Sequence, residues 1–65
     1  MVKFPQVTAK IIGQDGNAFV IMGIVTGAMR RAKVPKGDID AYRNAAMAGD
    51  YDNLLRVTMN TVNIE

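Results

Sequence analysis

Between Ala18 and Lys33 the chain reads AFVIMGIVTGAMRRAK, one helix with too little polar surface for so short a protein. On a helical wheel Ala18, Ile21, Met22, Val25, Ala28, Met29 and Ala32 form a continuous stripe with the i, i+3, i+4, i+7 spacing of a core face. Phe19, Val20, Gly23, Ile24 and Gly27 cover much of the opposite side, and Thr26, Arg30, Arg31 and Lys33 are the clearly polar positions. A helix that is apolar nearly all round is buried on two sides. A chain of 65 residues rarely supplies two layers of cover, because a domain of this size buries only about 60% of its unfolded surface. The second face is therefore expected to meet another molecule, with Phe19, Val20, Gly23, Ile24 and Gly27 as its interface.

The two glycines strengthen this expectation. Each glycine inside a helix costs about 1 kcal/mol relative to alanine, so Gly23 and Gly27, one turn apart, suggest a shallow groove that admits a close neighbour. Small domains are commonly held by disulfides, a metal, oligomerisation or very regular packing. The chain has no cysteine and no histidine, which removes disulfides and the usual zinc sets. Oligomerisation or close packing remains.

The flanking segments place this helix in a small α+β domain. Gln6 to Ile11 alternates, with Val7, Ala9 and Ile11 on one side and Gln6, Thr8 and Lys10 on the other, as in a half-buried strand. Gly13 to Asn17, GQDGN, is rich in residues that tolerate positive φ or bond their own backbone. It reads as a strand-to-helix turn with Asp15 or Asn17 as the N-cap, leading into a helix of about 25 Å that ends near Lys33. Val34-Pro35 stops that helix, and a second one starts at Pro35 or Lys36. It runs to Ala48 with Ile39, Tyr42, Ala45 and Ala46 inward and Gly49 as its C′ residue. Asp50 caps a third segment from Tyr51 to about Met59, and Asn60–Glu65 alternates again. The predicted order is β-α-α-α-β over a single domain, residues 1–65, with three helices packed on a two-stranded antiparallel sheet formed by Gln6–Ile11 and the C-terminal strand.

Three stretches, G-Q-D-G-N-A-F (Gly13–Phe19), A-M-R-R-A (Ala28–Ala32) and G-D-Y-D-N-L-L (Gly49–Leu55), resemble a group of short proteins of unassigned activity from bacterial and phage genomes. The resemblance covers most of the chain from Gly13 onward, including its ending V-N-I-E (Val62–Glu65). It implies a phage-type or mobile-element accessory protein, and it implies no activity.

The residues themselves point away from catalysis. Thr8, Thr26, Thr58 and Thr61 have no histidine to activate them, and no cysteine offers a nucleophile. Asp50 and Asp52 are a pair of carboxylates at a helix start, where negative charge is favourable, and they lack the further acids of a calcium loop. GQDGN has neither the GK[ST] ending of a phosphate-binding loop nor the GxGxxG pattern. No enzyme, metal or cofactor is expected.

Charge is distributed unevenly. Residues 1–36 carry six Lys or Arg against Asp15 alone, a balance of +5, and residues 37–65 carry two against five acids, a balance of −3. Two function classes follow. The preferred one is a homo-oligomeric interaction protein that uses the second face of the long helix, acting as an inhibitor or adaptor on a host protein or defence system. The alternative is an anion binder of nucleic acid or a small nucleotide, through Gly16 and Asn17 of the turn and the cluster Arg30, Arg31, Lys33 and Lys36. The opening MVKFPQ lacks an apolar signal core, and Ala18–Val25 falls well short of the ~20 apolar residues that span a bilayer. A cytoplasmic protein without membrane contact is expected.

Overall fold

A computed structural model describes residues 2–13 and 16–65. The elements follow in the order β1 (Phe4–Ala9), α1 (Ala18–Arg31), α2 (Lys36–Ala46), α3 (Tyr51–Thr61) and β2 (Val62–Ile64). Their number and order are those expected from the sequence, but the sheet is not. β1 and β2 pair in parallel, which overturns the antiparallel arrangement.

The reason lies at the junction of α3 and β2. Thr61 is the last helical residue and Val62 the first of the strand, so no turn intervenes to reverse the chain. β2 enters beside the start of β1, where Lys3 N donates to Asn60 O at 2.9 Å, and leaves beside its end, where Glu65 N donates to Ala9 O at 2.9 Å. Parallel strands need a crossover of a dozen or more residues, and the three helices are that crossover. Alternation along a strand fixes which side is buried and is the same for either heading.

The pairing is also irregular. Phe4 lies opposite Val62, yet Thr8 already lies opposite Asn63, so β1 bulges between them. Pro5 sits in the bulge, where its missing N–H removes no ladder bond. Asn63 Nδ2 bridges the gap by donating to Pro5 O at 2.7 Å.

α1 starts as its sequence suggests. Asn17 is the N-cap, and its side chain accepts from Phe19 N at 2.8 Å and Val20 N at 3.4 Å; Asp15, the other candidate, lies outside the described residues. Gly13, at φ 87°, supplies the left-handed residue of the preceding turn. The helix ends at Arg31, two residues short of expectation. Lys33 is left-handed at φ 62°, with Lys33 N donating to Arg30 O and Val34 N to Met29 O, both at 3.0 Å. These are the two bonds of a Schellman motif, and buried Val34 supplies its hydrophobic contact. A side chain with a Cβ at this position costs about 1 kcal/mol relative to glycine. Lys33→Gly is therefore expected to stabilise the fold by about that amount, read as a higher urea midpoint; an unchanged or lower midpoint contradicts the assignment.

α2 ends at Ala46, earlier than expected, and Gly49 is not its left-handed stop. Gly49 serves packing instead. A Cβ there would stand 2.9 Å from Asn53 Cβ, and Asn53 Nδ2 reaches back to Ala45 O at 3.0 Å, tying α3 to the end of α2. Asp50 caps α3 as expected, its Oδ1 accepting from Asn53 N at 2.9 Å.

The core gathers Val7 and Ala9 of β1, the inner stripe of α1, Val34, Ile39 and Tyr42 of α2, Leu54 of α3 and Val62 of β2. Two stripe assignments fail: Ala32 and Ala45 are exposed. Thr26, counted as polar, is buried, and its Oγ1 donates to Met22 O at 2.8 Å. A threonine hydroxyl bonded one turn back behaves as a core residue. Deeper still, Tyr42 Oη and Thr58 Oγ1 share a buried hydrogen bond of 2.8 Å between α2 and α3. Burial pushes the Tyr42 phenol above its ordinary pKa, partly opposed by the bond to Thr58.

Candidate functional site

The inner stripe of α1 is covered and its outer face is not. Ile21, Met22, Val25, Thr26, Ala28 and Met29 are buried, whereas Phe19 is 74% exposed and Val20 38%. Gly23 is exposed, and Ile24 and Gly27 are half-buried, with Ile24 packed against the edge of the core. A methyl group at Gly23 would meet no atom within 4 Å, and one at Gly27 only Arg31 Nη1 at 3.6 Å. No close approach within the chain requires either glycine.

Phe19 also borders a groove that the sequence did not reveal. It lines a cavity of about 280 Å³ with Met22, Met47, Asp50, Tyr51 and Leu54, where the start of α1 meets the end of α2 and the start of α3. A second apolar cavity of about 250 Å³ lies on the other side of Tyr51, with Ile12, Ile21, Leu55 and Met59 among its walls. Tyr51 is the partition between them, and its hydroxyl donates to Gly16 O at 2.6 Å, fixing the ring. Ile12, Met47 and Met59 are 75%, 59% and 60% exposed, so large apolar side chains continue from α1 around Tyr51. Exposed apolar surface grouped in this way marks interaction sites more often than scattered residues do. Ile12 had a sequence signal, since it breaks the β1 alternation. Met47, just past α2, had none.

The proposed anion site separates into unlike parts. At the helix start Asn17 already occupies the Phe19 and Val20 amides. Lys36 is paired with Asp40 at 3.0 Å, and Lys33 occupies the left-handed cap position. Arg31 lies back over Gly27. Arg30 faces a more polar groove of about 350 Å³ with Phe19, Gly23, Thr26 and Arg43, a cation absent from the sequence-derived cluster. Arg30, Arg31 and Asp52 form no ion pair among the described residues.

Among the described residues no group of three or more carboxylates gathers to hold a metal ion, and no helix is long and apolar enough to cross a membrane. The chain matches no protein-family model, no curated protein and no solved structure.

Proposed function

We propose that this is a small interaction protein that self-associates through the outer face of α1 and acts as a phage-type accessory factor, an inhibitor or adaptor, by presenting apolar surface rather than by catalysis. The observation that carries this reading is Phe19: a large aromatic side chain on the outside of the central helix, 74% exposed, on the rim of an apolar groove. The phage-type context rests on the resemblance of the Gly13–Phe19 and Gly49–Leu55 stretches, and the cytoplasm is the compartment that fits such a role.

Phe19→Ser is the cleanest test, because the side chain contributes little to the core, whereas Ile24 packs against it. Burying one phenylalanine is worth about 1.5–3 kcal/mol, and a two-fold contact loses two of them. Self-association should weaken at least about a hundredfold, read by light scattering, with the circular dichroism of the fold unchanged. Equal association by the wild-type and Phe19→Ser chains would sink the proposal. Anion binding is the second reading, favoured by Arg30 and Arg43 sharing one groove. The amides of the turn are occupied by Asn17 and Lys36 is paired with Asp40, so this second reading ranks below self-association.

A further inference from the structure

Resting on the self-association proposed above, we infer its geometry: two copies pack their α1 helices antiparallel, crossing at Gly23 and Gly27, with the basic end of each α1 against the acidic start of α3 in the other.

The first support is the distribution of residues about the middle of α1. Gly23 and Gly27 lie two positions to either side of Val25, and the pairs Phe19–Val20 and Arg30–Arg31 lie five or six positions to either side. All six belong to the outer face or its edges, with none of them buried in the chain. A two-fold axis at the level of Val25 sets Gly23 of one copy against Gly27 of the other. It also sets Phe19 and Val20 against Arg30 and Arg31. A parallel pair would stack the four arginines together at one end, where like charges oppose association.

Charge complementarity is the second support. Asp50 shares a groove with Phe19, and Asp52 follows one residue beyond Tyr51 in the first turn of α3. An arginine arriving over Phe19 from a second copy therefore finds an aromatic face and carboxylates within the same neighbourhood. Within its own chain Arg30 has no acid partner among the described residues and instead shares a groove with Arg43.

Area gives the third. A standard interface takes about 800 Å² from each partner, nearly a fifth of the 4227 Å² that this chain exposes. The outer face of α1, about 21 Å long and 12 Å wide, is too small by itself. The antiparallel arrangement is the one that adds Met47, Asp50 and Tyr51 to the contact at both ends. Isologous packing also closes at two copies instead of propagating.

Because the chain has no cysteine, single thiols report this geometry directly. Gly23→Cys and Gly27→Cys both have room in the monomer, and folding of each is checked by circular dichroism. With a mass tag on one variant, oxidation of the mixture should give heterologous crosslinks at about fivefold or more the yield of either variant alone, because disulfides form only at Cα separations below about 7 Å. Predominant self-crosslinking of Gly23→Cys would mean a parallel pair and overturn the inference. A dimer by sedimentation that gives neither crosslink would overturn this geometry while leaving self-association standing. A monomer by sedimentation would remove both. As an independent readout, Asp52→Arg should weaken the dimer and Arg30→Asp in the same chain should restore it; no restoration counts against the charge pairing.

Discussion

Replacing Met29 by alanine is expected to remove a large share of the protein's stability. Met29 is fully buried at 0% exposure in the inner stripe of α1. Truncating a buried methionine costs about 2–5 kcal/mol, from the lost transfer energy and the cavity left behind. Domains retain only about 0.05–0.15 kcal/mol of stability per residue, which for this chain is about 3–10 kcal/mol in all. The urea midpoint at fixed protein concentration is the measurement, the concentration being held because self-association would raise apparent stability. Met59→Ala, at a position 60% exposed, should stay within about 0.5 kcal/mol of the parent. A loss at Met29 no larger than that at Met59 would mean that the core is assigned wrongly.

The second large effect concerns the Tyr42–Thr58 hydrogen bond. Tyr42→Phe removes one partner of a buried pair and leaves the other without it, a loss of about 1–3 kcal/mol. Combining it with Thr58→Val replaces both polar groups by apolar ones of similar shape, and part of the loss should return. The double-mutant cycle reads the coupling directly, and strict additivity would show that the bond contributes nothing. The same pair sets an alkaline limit. The folded-state pKa of Tyr42 is raised above its ordinary value of 10.0 by burial, so the unfolded chain releases this proton first. Stability is then fully present below about pH 10 and declines as pH rises through the folded pKa. Tyrosinate absorbance from Tyr42 should appear together with unfolding.

Local rules made most of the elements legible. Asp50 was readable as a cap, and Asn17 as one of two candidates beside Asp15, because a short polar side chain ahead of an apolar run has few other roles. The inner stripe of α1 was readable because its spacing is that of a helix buried on one side. What failed depended on packing and pairing that residue type and periodicity do not encode. The heading of β2 follows from a helix running into a strand without a turn, which alternation does not encode. Thr26 was counted as polar although its hydroxyl finds a carbonyl within its own helix and the residue is buried, and Gly49 appeared to be a stop although it makes room for Asn53.

The candidate site divides in the same way. That α1 carries more apolar surface than this chain covers was visible in the sequence, and the exposure of Phe19, Val20 and Gly23 follows from it. Ile24 is a partial exception, since the core reaches its edge. Tyr51 was readable as part of α3, but its place between two grooves comes from the packing of the start of α3 against α1 and the preceding turn. Arg43 is separated by thirteen residues from Arg30 in the chain, so no charge run could bring them together.

The uncovered face of α1 is the surface proposed for a second copy of this chain. Sedimentation equilibrium of the unmodified protein over a wide concentration range tests it most directly. The expected result is a weight-average mass that climbs from the 7.1 kDa of one chain to twice that value and stops there, as a closed two-fold contact requires. A mass of one chain at every concentration would contradict it.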